Sequence, residues 1–308
     1  MQNIKNNIKE VNDLDYKLKI EYNNALKDPY VKKLCDSINL SDDELMKYTS
    51  SFEDASKEYK NCCNCKNLIE CKNSFLGYCY LPVLNNNNLS FSYVACKYKN
   101  KYINENKYLD NVLSINVPKE IKEAKIKDIY TDDKNRASTI KWILNYIKDA
   151  KKNKFDKGLF LHGNFGCGKT YLISAMFNEL AKSNIKSAIV YWPEYLRSLK
   201  ESFQSSSNDE FKNKFNDIKY AKLLLIDDLG AEAVSSWNRD EILGTILQYR
   251  MQEDLPTFIT SNLNIKELEE HLSVTSTNRL EKVKAKRIIE RINQLTIDTL
   301  MIGENNRK

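Results

Sequence analysis

The chain has no run of about 18 apolar residues, so none of its 308 residues is expected to span a membrane as a helix. It also lacks an apolar stretch at its start. The opening MQNIKNNIKEVNDLDYK mixes Lys with acids, so no secretory signal is expected and a cytoplasmic, reducing setting is. No long repeat is present. Arginine is absent before Arg136, and four of the eight arginines, Arg279, Arg287, Arg291 and Arg307, fall in the last 30 residues. Strong charge is missing too: 48 basic against 42 acidic residues leave +6, which permits nucleic-acid contact without arguing for it. Residues 1–105 carry only +1 of that, so the basic excess lies in the second half. Arginine kept for planar, bidentate anion contacts fits a phosphate-handling second half. What is present suits a folded chain of one or two domains, with 42% hydrophobic and 29% charged residues.

Cysteine is concentrated. Five of the eight, Cys62, Cys63, Cys65, Cys71 and Cys79, fall within residues 62–79, and Cys96 follows. Clustered thiols in a reducing compartment point to metal rather than disulfides. Cys62-x₂-Cys65 has the spacing of a metal knuckle, and Cys79 and Cys96 can complete a tetrahedral Zn²⁺ site. Cys63 and Cys71 compete for places in that set. Cys35 stands alone and reads as a small buried hydrophobe.

The organisation expected is an N-terminal domain over 1–102, a linker over 103–118 and a larger domain over 119–308. Residues 1–60 read as helical, with Ser41-Asp42-Asp43-Glu44 as a capping box. Residues 61–102 read as a small irregular module. From 155 onward short apolar runs alternate with helical stretches. GLFLHG (158–163), SAIVYW (187–192), KLLLIDD (222–228), TFIT (257–260) and a last run near 295–300 read as strands. Stretches 169–183, 194–219, 238–252, 265–271 and 278–291 read as helices. That order predicts an α/β fold, a parallel sheet flanked by helices.

Gly163-Asn164-Phe165-Gly166-Cys167-Gly168-Lys169-Thr170 matches G-x-x-x-x-G-K-[ST] between a strand and a helix. A chance match is expected only about 0.003 times in a chain of this composition. The glycines let backbone N–H groups converge on phosphate oxygens, with the helix N-terminus adding positive potential. Lys169 is the expected β/γ-phosphate contact and Thr170 an Mg²⁺ ligand, which implies ATP and Mg²⁺ as cofactors. LLLIDD ends in Asp227, expected to hold Mg²⁺ through water, and Asp228, expected to polarise the attacking water. Asn262, at the end of TFITSN, is placed to orient that water. Cys167 reads as a tolerated small residue of the loop.

These motifs, with LLLIDDLGAE (223–232), WNRDEILGTILQYRMQ (237–252) and FITSN (258–262), resemble the AAA+ helicase loaders of bacterial replication. The resemblance is to the DnaI type, more distantly to the DnaC type, and covers roughly 119–308. It implies an AAA+ P-loop ATPase that places a ring-shaped DnaB-type replicative helicase on single-stranded DNA. It also implies a sensor-1 role for Asn262, an arginine finger at Arg291 in RIIERI, and a sensor-2 role for Arg307. An arginine acting in trans implies self-association in the ATP-bound state. Loaders of this type resemble the chain in their N-terminal zinc module, where Gly77-Tyr78-Cys79 and Val94-Ala95-Cys96-Lys97 fit. That implies Zn²⁺ on Cys62, Cys65, Cys79 and Cys96, with Cys where His is also seen, and a helicase grip in the N-terminal domain. Residues 193–220 interleave Arg197, Lys200, Lys212 and Lys214 with Tyr195, Phe203, Phe211 and Phe215, a pattern for single-stranded DNA or an amphipathic helix pair. Two rival functions remain: a transposition helper ATPase, and an adaptor whose nucleotide site switches without turnover.

Overall fold

The computed structural model describes residues 15–86, 88–129, 136–204, 208–275 and 280–305. The chain divides into two units, Met1–Lys107 and Tyr108–Lys308. No helix among the described residues is long and apolar enough to cross a membrane.

The first unit begins with helix α1 over 15–25 and continues through α2 (Pro29–Asp36), α3 (Asp42–Leu45) and α4 (Thr49–Asn64). Asp28 caps α2 by accepting from the Tyr30 N–H, and Pro29 opens the helix where no N–H partner is needed. The expected capping box is present at α3, where the Ser41 N–H donates to Glu44 Oε2 at 3.1 Å. A small core gathers Tyr22, Val31, Leu34, Cys35, Leu45, Phe52, Ala55 and Leu89. Cys35 is buried there, as a small hydrophobe should be.

The stretch expected to be irregular is more ordered than its composition implies. Strands β1 (Tyr78–Asn85) and β2 (Asn88–Ala95) form an antiparallel hairpin, with Asn85 opposite Asn88. The turn residue Asn86 has φ +48°, a left-handed conformation that Asn tolerates. Tyr80, Leu81, Leu84 and Phe91 pack this hairpin onto the helical core. Glu58 of α4 ties it down, with Oε2 accepting from the Tyr80 N–H at 2.8 Å. Helix α5 (Lys97–Asn106) closes the unit.

The second unit holds a six-stranded, all-parallel sheet. Its strands are β3 (Val112–Ile115), β4 (Gly158–His162), β5 (Ser187–Tyr191), β6 (Leu223–Asp227), β7 (Thr257–Ser261) and β8 (Thr296–Leu300), in the order β3-β5-β6-β7-β4-β8. β3 corrects the expected linker over 103–118. Val112–Ile115 pairs with Ser187–Val190 because an apolar VLSI run can extend the buried edge of β5. After the short helix α6 (Lys119–Lys122) comes α7 (Ala137–Ala150), a helix the sequence reading did not assign.

Successive residues of each strand serve opposite layers. Leu224 and Ile226 join Phe160, Val190 and Ile259 on one face, beneath α9 (Trp192–Gln204), α10 (Asn208–Lys219), α11 (Gly244–Gln252), α12 (Ile265–Ser273) and α13 (Lys282–Leu295). Leu223 and Leu225 join Leu159, Leu161, Ile189 and Phe258 on the other, against α7 and α8 (Lys169–Ala181). Burial on both faces explains why these strands read as continuous apolar runs. β4 lies between β7 and β8, while the chain leaving it passes through α8 to β5. This is the topological switch point, where a parallel sheet opens a crevice at the carboxyl ends of its strands.

One buried cation holds the far ends of these elements. Arg250 of α11 is fully buried, and burial draws its pKa down to about 9, still above neutral pH. Its Nε donates to Thr257 Oγ1 at 2.8 Å, Nη1 to Ala221 O at 2.6 Å and Nη2 to Pro256 O at 2.8 Å. The starts of β6 and β7 thus hang on one side chain. Arg250→Met should lower the unfolding free energy by about 3 kcal/mol or more, because several buried acceptors lose their donor. Urea unfolding measures this, and a loss below about 1 kcal/mol would contradict the assignment.

Candidate functional site

β4 ends at His162 and the chain turns through 163–168 into α8. Gly163 has φ +141°, and a Cβ there would stand 2.0 Å from Met301 O, so only glycine fits against the chain that follows β8. Gly168, at φ +88°, caps the start of α8 and aims its first N–H groups into the turn. Cys167 is buried, its Sγ donating to Asn164 O at 3.1 Å, which makes it a packing residue of the loop. Phe165, by contrast, is exposed at the tip.

The residues expected to act together are brought together. Lys169 Nζ donates to Gly163 O and Asn164 O, both at 2.9 Å, and to Asn262 Oδ1 at 3.0 Å. Asn262 in turn donates from Nδ2 to Asp228 Oδ1 at 2.7 Å. The Thr170 hydroxyl donates to Asp227 Oδ1. Lysine, amide and Asp228 thus form one hydrogen-bonded set beside the Thr170–Asp227 pair, at the carboxyl ends of β4, β6 and β7. Backbone N–H groups, a cation and a paired hydroxyl and carboxylate suit a polyphosphate with a divalent cation.

Thr260 was missed by the sequence reading. Its hydroxyl donates to Asp227 Oδ1 at 2.6 Å and accepts from the Asp228 N–H at 2.9 Å, while its carbonyl accepts from the Leu229 N–H at 2.9 Å. The signal was a buried hydroxyl near the carboxyl end of the strand before Asn262. Asp228 needs such support, because it stands at φ +60°, a left-handed backbone that costs about 1–3 kcal/mol for a non-glycine residue. Burial raises the pKa of Asp227, and the Thr170 and Thr260 hydroxyls only partly oppose it.

The chain after β8 also reaches the loop. Asn164 Nδ2 donates to Gly303 O at 2.6 Å, and its Oδ1 accepts from the Gly303 N–H at 3.2 Å. Arg307, the expected sensor-2 residue, lies outside the described residues. Arg291 is not joined to the phosphate loop by a hydrogen bond. Its Nη1 donates to Gly244 O at 2.9 Å, within its own chain. Burial and the neighbouring Arg287 lower its pKa.

Two expectations meet a different arrangement of side chains. The thiols of Cys62, Cys65, Cys79 and Cys96 do not form one ligand group. Cys79, Cys96 and Cys71 stand close enough to Cys62 to act on it electrostatically, while Cys62 Sγ accepts from Asn73 Nδ2 at 3.2 Å. Cys65 instead donates from Sγ to Asn67 O at 3.0 Å. Among the described residues, no group of three or more His, Cys, Asp or Glu stands as a metal cluster. In the 193–220 segment, Tyr195 is a core residue, fully buried, with its hydroxyl donating to Lys214 O at 3.2 Å. Phe211 and Phe215 pack against the same core. Arg197 pairs with Glu194 and Lys214 with Glu210, each at 2.8 Å. Phe203, Lys200 and Lys212 remain exposed.

A five-strand order β5-β6-β7-β4-β8 with a glycine loop after β4, acids after β6 and a polar residue after β7 defines an AAA+ P-loop ATPase domain. Residues 133–282 match the bacterial DnaA ATPase domain family. The chain is 36% identical over 251 residues to the replicative helicase loader DnaI of Bacillus subtilis, covering 82% of this chain and 80% of that one. A crystal structure of DnaI matches with 40% identity and a TM-score of 0.55, covering 65% of this chain and all of that one. The replicative helicase loader DnaC of Escherichia coli K12 is 27% identical over 142 residues, 44% of this chain and 57% of DnaC. The chain belongs to the DnaI family of replicative helicase loaders.

The raised pKa of Asp227 has a sign that can be tested. Stability from its protonated form is present below the ordinary carboxylate pKa and is lost as pH rises through the raised folded value. In the nucleotide-free fold the ionised carboxylate is therefore destabilised relative to the unfolded chain. Asp227→Asn should leave nucleotide-free melting at pH 7 unchanged or higher, while ATP hydrolysis falls about 100-fold or more. A clear drop in melting temperature would contradict this account.

Proposed function

We propose that this protein is an ATP-dependent loader of a DnaB-type replicative helicase onto single-stranded DNA during initiation or restart of bacterial replication. The observation that carries the reading is the linked set Lys169–Asn262–Asp228 beside Thr170–Asp227, in a chain of the DnaI family. Residues 163–170 cradle the phosphates, and Lys169 exchanges its loop carbonyls for β/γ-phosphate oxygens. Thr170 and Asp227 fit Mg²⁺, an oxygen-ligand cation that supplies charge neutralisation at those phosphates. Asp228 accepts from the attacking water, which Asn262 orients. Arg291 stabilises the transferring phosphoryl group of a neighbouring subunit, so turnover requires self-association. Arg307 adds a further phosphate contact.

In this reading residues 1–102 grip the helicase. Zinc on Cys62, Cys65, Cys79 and Cys96 holds their hairpin. The Cys62–Cys79 contact and the nearness of Cys96 support that set, while Cys65 must give up Asn67 O to join it. Purified protein should carry stoichiometric zinc, lost in Cys62→Ser and Cys79→Ser variants. Metal-free native protein, by elemental analysis, would end this part of the reading. The exposed Lys200, Phe203 and Lys212 are the parts of the 193–220 segment left to meet single-stranded DNA.

The deciding experiment is co-elution with the host's replicative helicase in the presence of ATP, with ATP turnover followed in the same mixture. Full-length protein should co-elute, and Lys169→Ala should abolish turnover. Co-elution with turnover indifferent to Lys169→Ala favours the switched adaptor. Failure to co-elute moves the transposition helper forward.

A further inference from the structure

Three buried arginines in the second unit invite comparison. Arg250 is saturated by Thr257 and backbone carbonyls. Arg239 is fully buried as well, and donates to both carboxylate oxygens of Asp240, to Glu281 Oε2 at 2.6 Å and to Leu272 O at 3.0 Å. These two show what a structural buried arginine looks like in this fold: every face of the guanidinium meets an acceptor. Arg136, just before α7, is different. It is only 4% exposed, and its Nε has no hydrogen-bond partner. Among the described residues no carboxylate pairs with it.

Its surroundings are already positive. The Arg136 guanidinium lies against the phosphate loop: a Cβ built on Gly168 would stand 3.3 Å from Nη2 and 3.8 Å from Cζ. Gly168 caps the N-terminus of α8, a 13-residue helix whose dipole and free N–H groups point the same way. Lys169, the next residue, is buried too. The carboxylate nearest the loop residues, Asp227, is taken by the hydroxyls of Thr170 and Thr260. An arginine side chain stays charged in proteins, and burying it unpaired is costly. Placing it beside a lysine and a helix N-terminus makes the nucleotide-free loop self-repelling. An anion seated in the loop relieves all three at once.

We propose that Arg136 is a nucleotide-binding residue, its guanidinium pairing with the phosphate chain of a nucleoside di- or triphosphate held in the 163–170 loop. Fork-shaped N–H donors suit phosphate oxygens, and a desolvated pair is stronger than an exposed one. The contact is separate from the hydrolytic set, since the Arg136 guanidinium stands over Gly168 while Lys169, Asn262 and Asp228 bond one another. It therefore serves ADP and ATP alike and sets affinity. The inference rests on reading the loop as the nucleotide cradle.

The test uses full-length protein and Mg-ADP as the probe, with equilibrium binding and thermal unfolding read side by side. Arg136→Met should weaken ADP binding about 10- to 100-fold, the loss expected for a hydrogen bond to a charged group. Nucleotide-free melting should stay level or rise, because a buried charge with no carboxylate partner among the described residues is gone, and the ADP-induced rise should shrink. Arg136→Lys should recover part of the affinity. A fall in nucleotide-free melting with ADP affinity unchanged would overturn the proposal and make Arg136 a structural residue. The cradle itself is checked by Lys169→Ala and wild type. If wild type fails to bind ADP, or Lys169→Ala binds it as tightly, the loop reading fails first and this one with it.

Discussion

The site depends on a buried carboxylate at the end of an apolar strand. Residues Leu223 to Ile226 are wholly buried, so β6 is held in place by both layers of the core. Asp227 follows them directly and is buried too, at a desolvation cost that raises its pKa. The fold accepts that cost because two hydroxyls, Thr170 from α8 and Thr260 from β7, converge on one carboxylate oxygen. Three separate elements are thereby indexed to one atom. If Thr170 and Asp227 hold Mg²⁺ as proposed, they would do so already in register, which reduces the ordering left for binding to supply.

The same strand neighbour handles the strain at the next residue. Asp228 sits in a left-handed conformation that only a crowded setting maintains. Thr260 holds its N–H through a hydroxyl and the Leu229 N–H through a carbonyl, and the Ser261 hydroxyl donates to Leu229 O at 2.6 Å. The turn after β6 is thus built on the end of β7. This explains why β6 and β7 must be adjacent in the sheet, and why Asn262, one residue beyond Ser261, reaches both Asp228 and Lys169. Strand order is part of the chemistry here.

Legibility followed from how local each signal is. The phosphate loop, the four buried strands β4 to β7 and the pair Asp227–Asp228 are written in contiguous residues, and each reading rests on steric or burial rules that hold within a few positions. β3 was hidden because a four-residue VLSI edge strand has too little pattern, and its partner β5 lies over 70 residues on. The hairpin over 78–95 was masked by the run of Asn between its strands, which is turn chemistry when paired and loop chemistry when not. Thr260 and Arg136 were missed for a different reason. Their meaning lies in what faces them across the fold, Asp227 in one case and Gly168 in the other. The aromatics of 193–220 show the converse ambiguity. A basic, aromatic pattern is shared by nucleic-acid surfaces and by amphipathic helices, and only burial separates Tyr195 from Phe203.

Arg291 shows how a residue read for action between subunits can be stored within one. Its guanidinium donates to the Gly244 carbonyl, and a Cβ on Gly244 would stand 3.2 Å from Nη1, so glycine at that position lets the arginine lie close. The helix there runs from a π-helical turn, Trp237–Leu243, into α11, and π-turns widen the spacing of backbone carbonyls. Partial burial and the nearby Arg287 both disfavour the charged form where it rests. A neutral carbonyl is a weaker partner for a guanidinium than a phosphate is, so the resting bond holds the side chain in order without competing strongly for it. For the role proposed for Arg291, that balance is the useful one. Ordering the side chain in advance lowers the entropy cost of reaching a neighbour, and the poor electrostatics of the resting place favour leaving it for an anion.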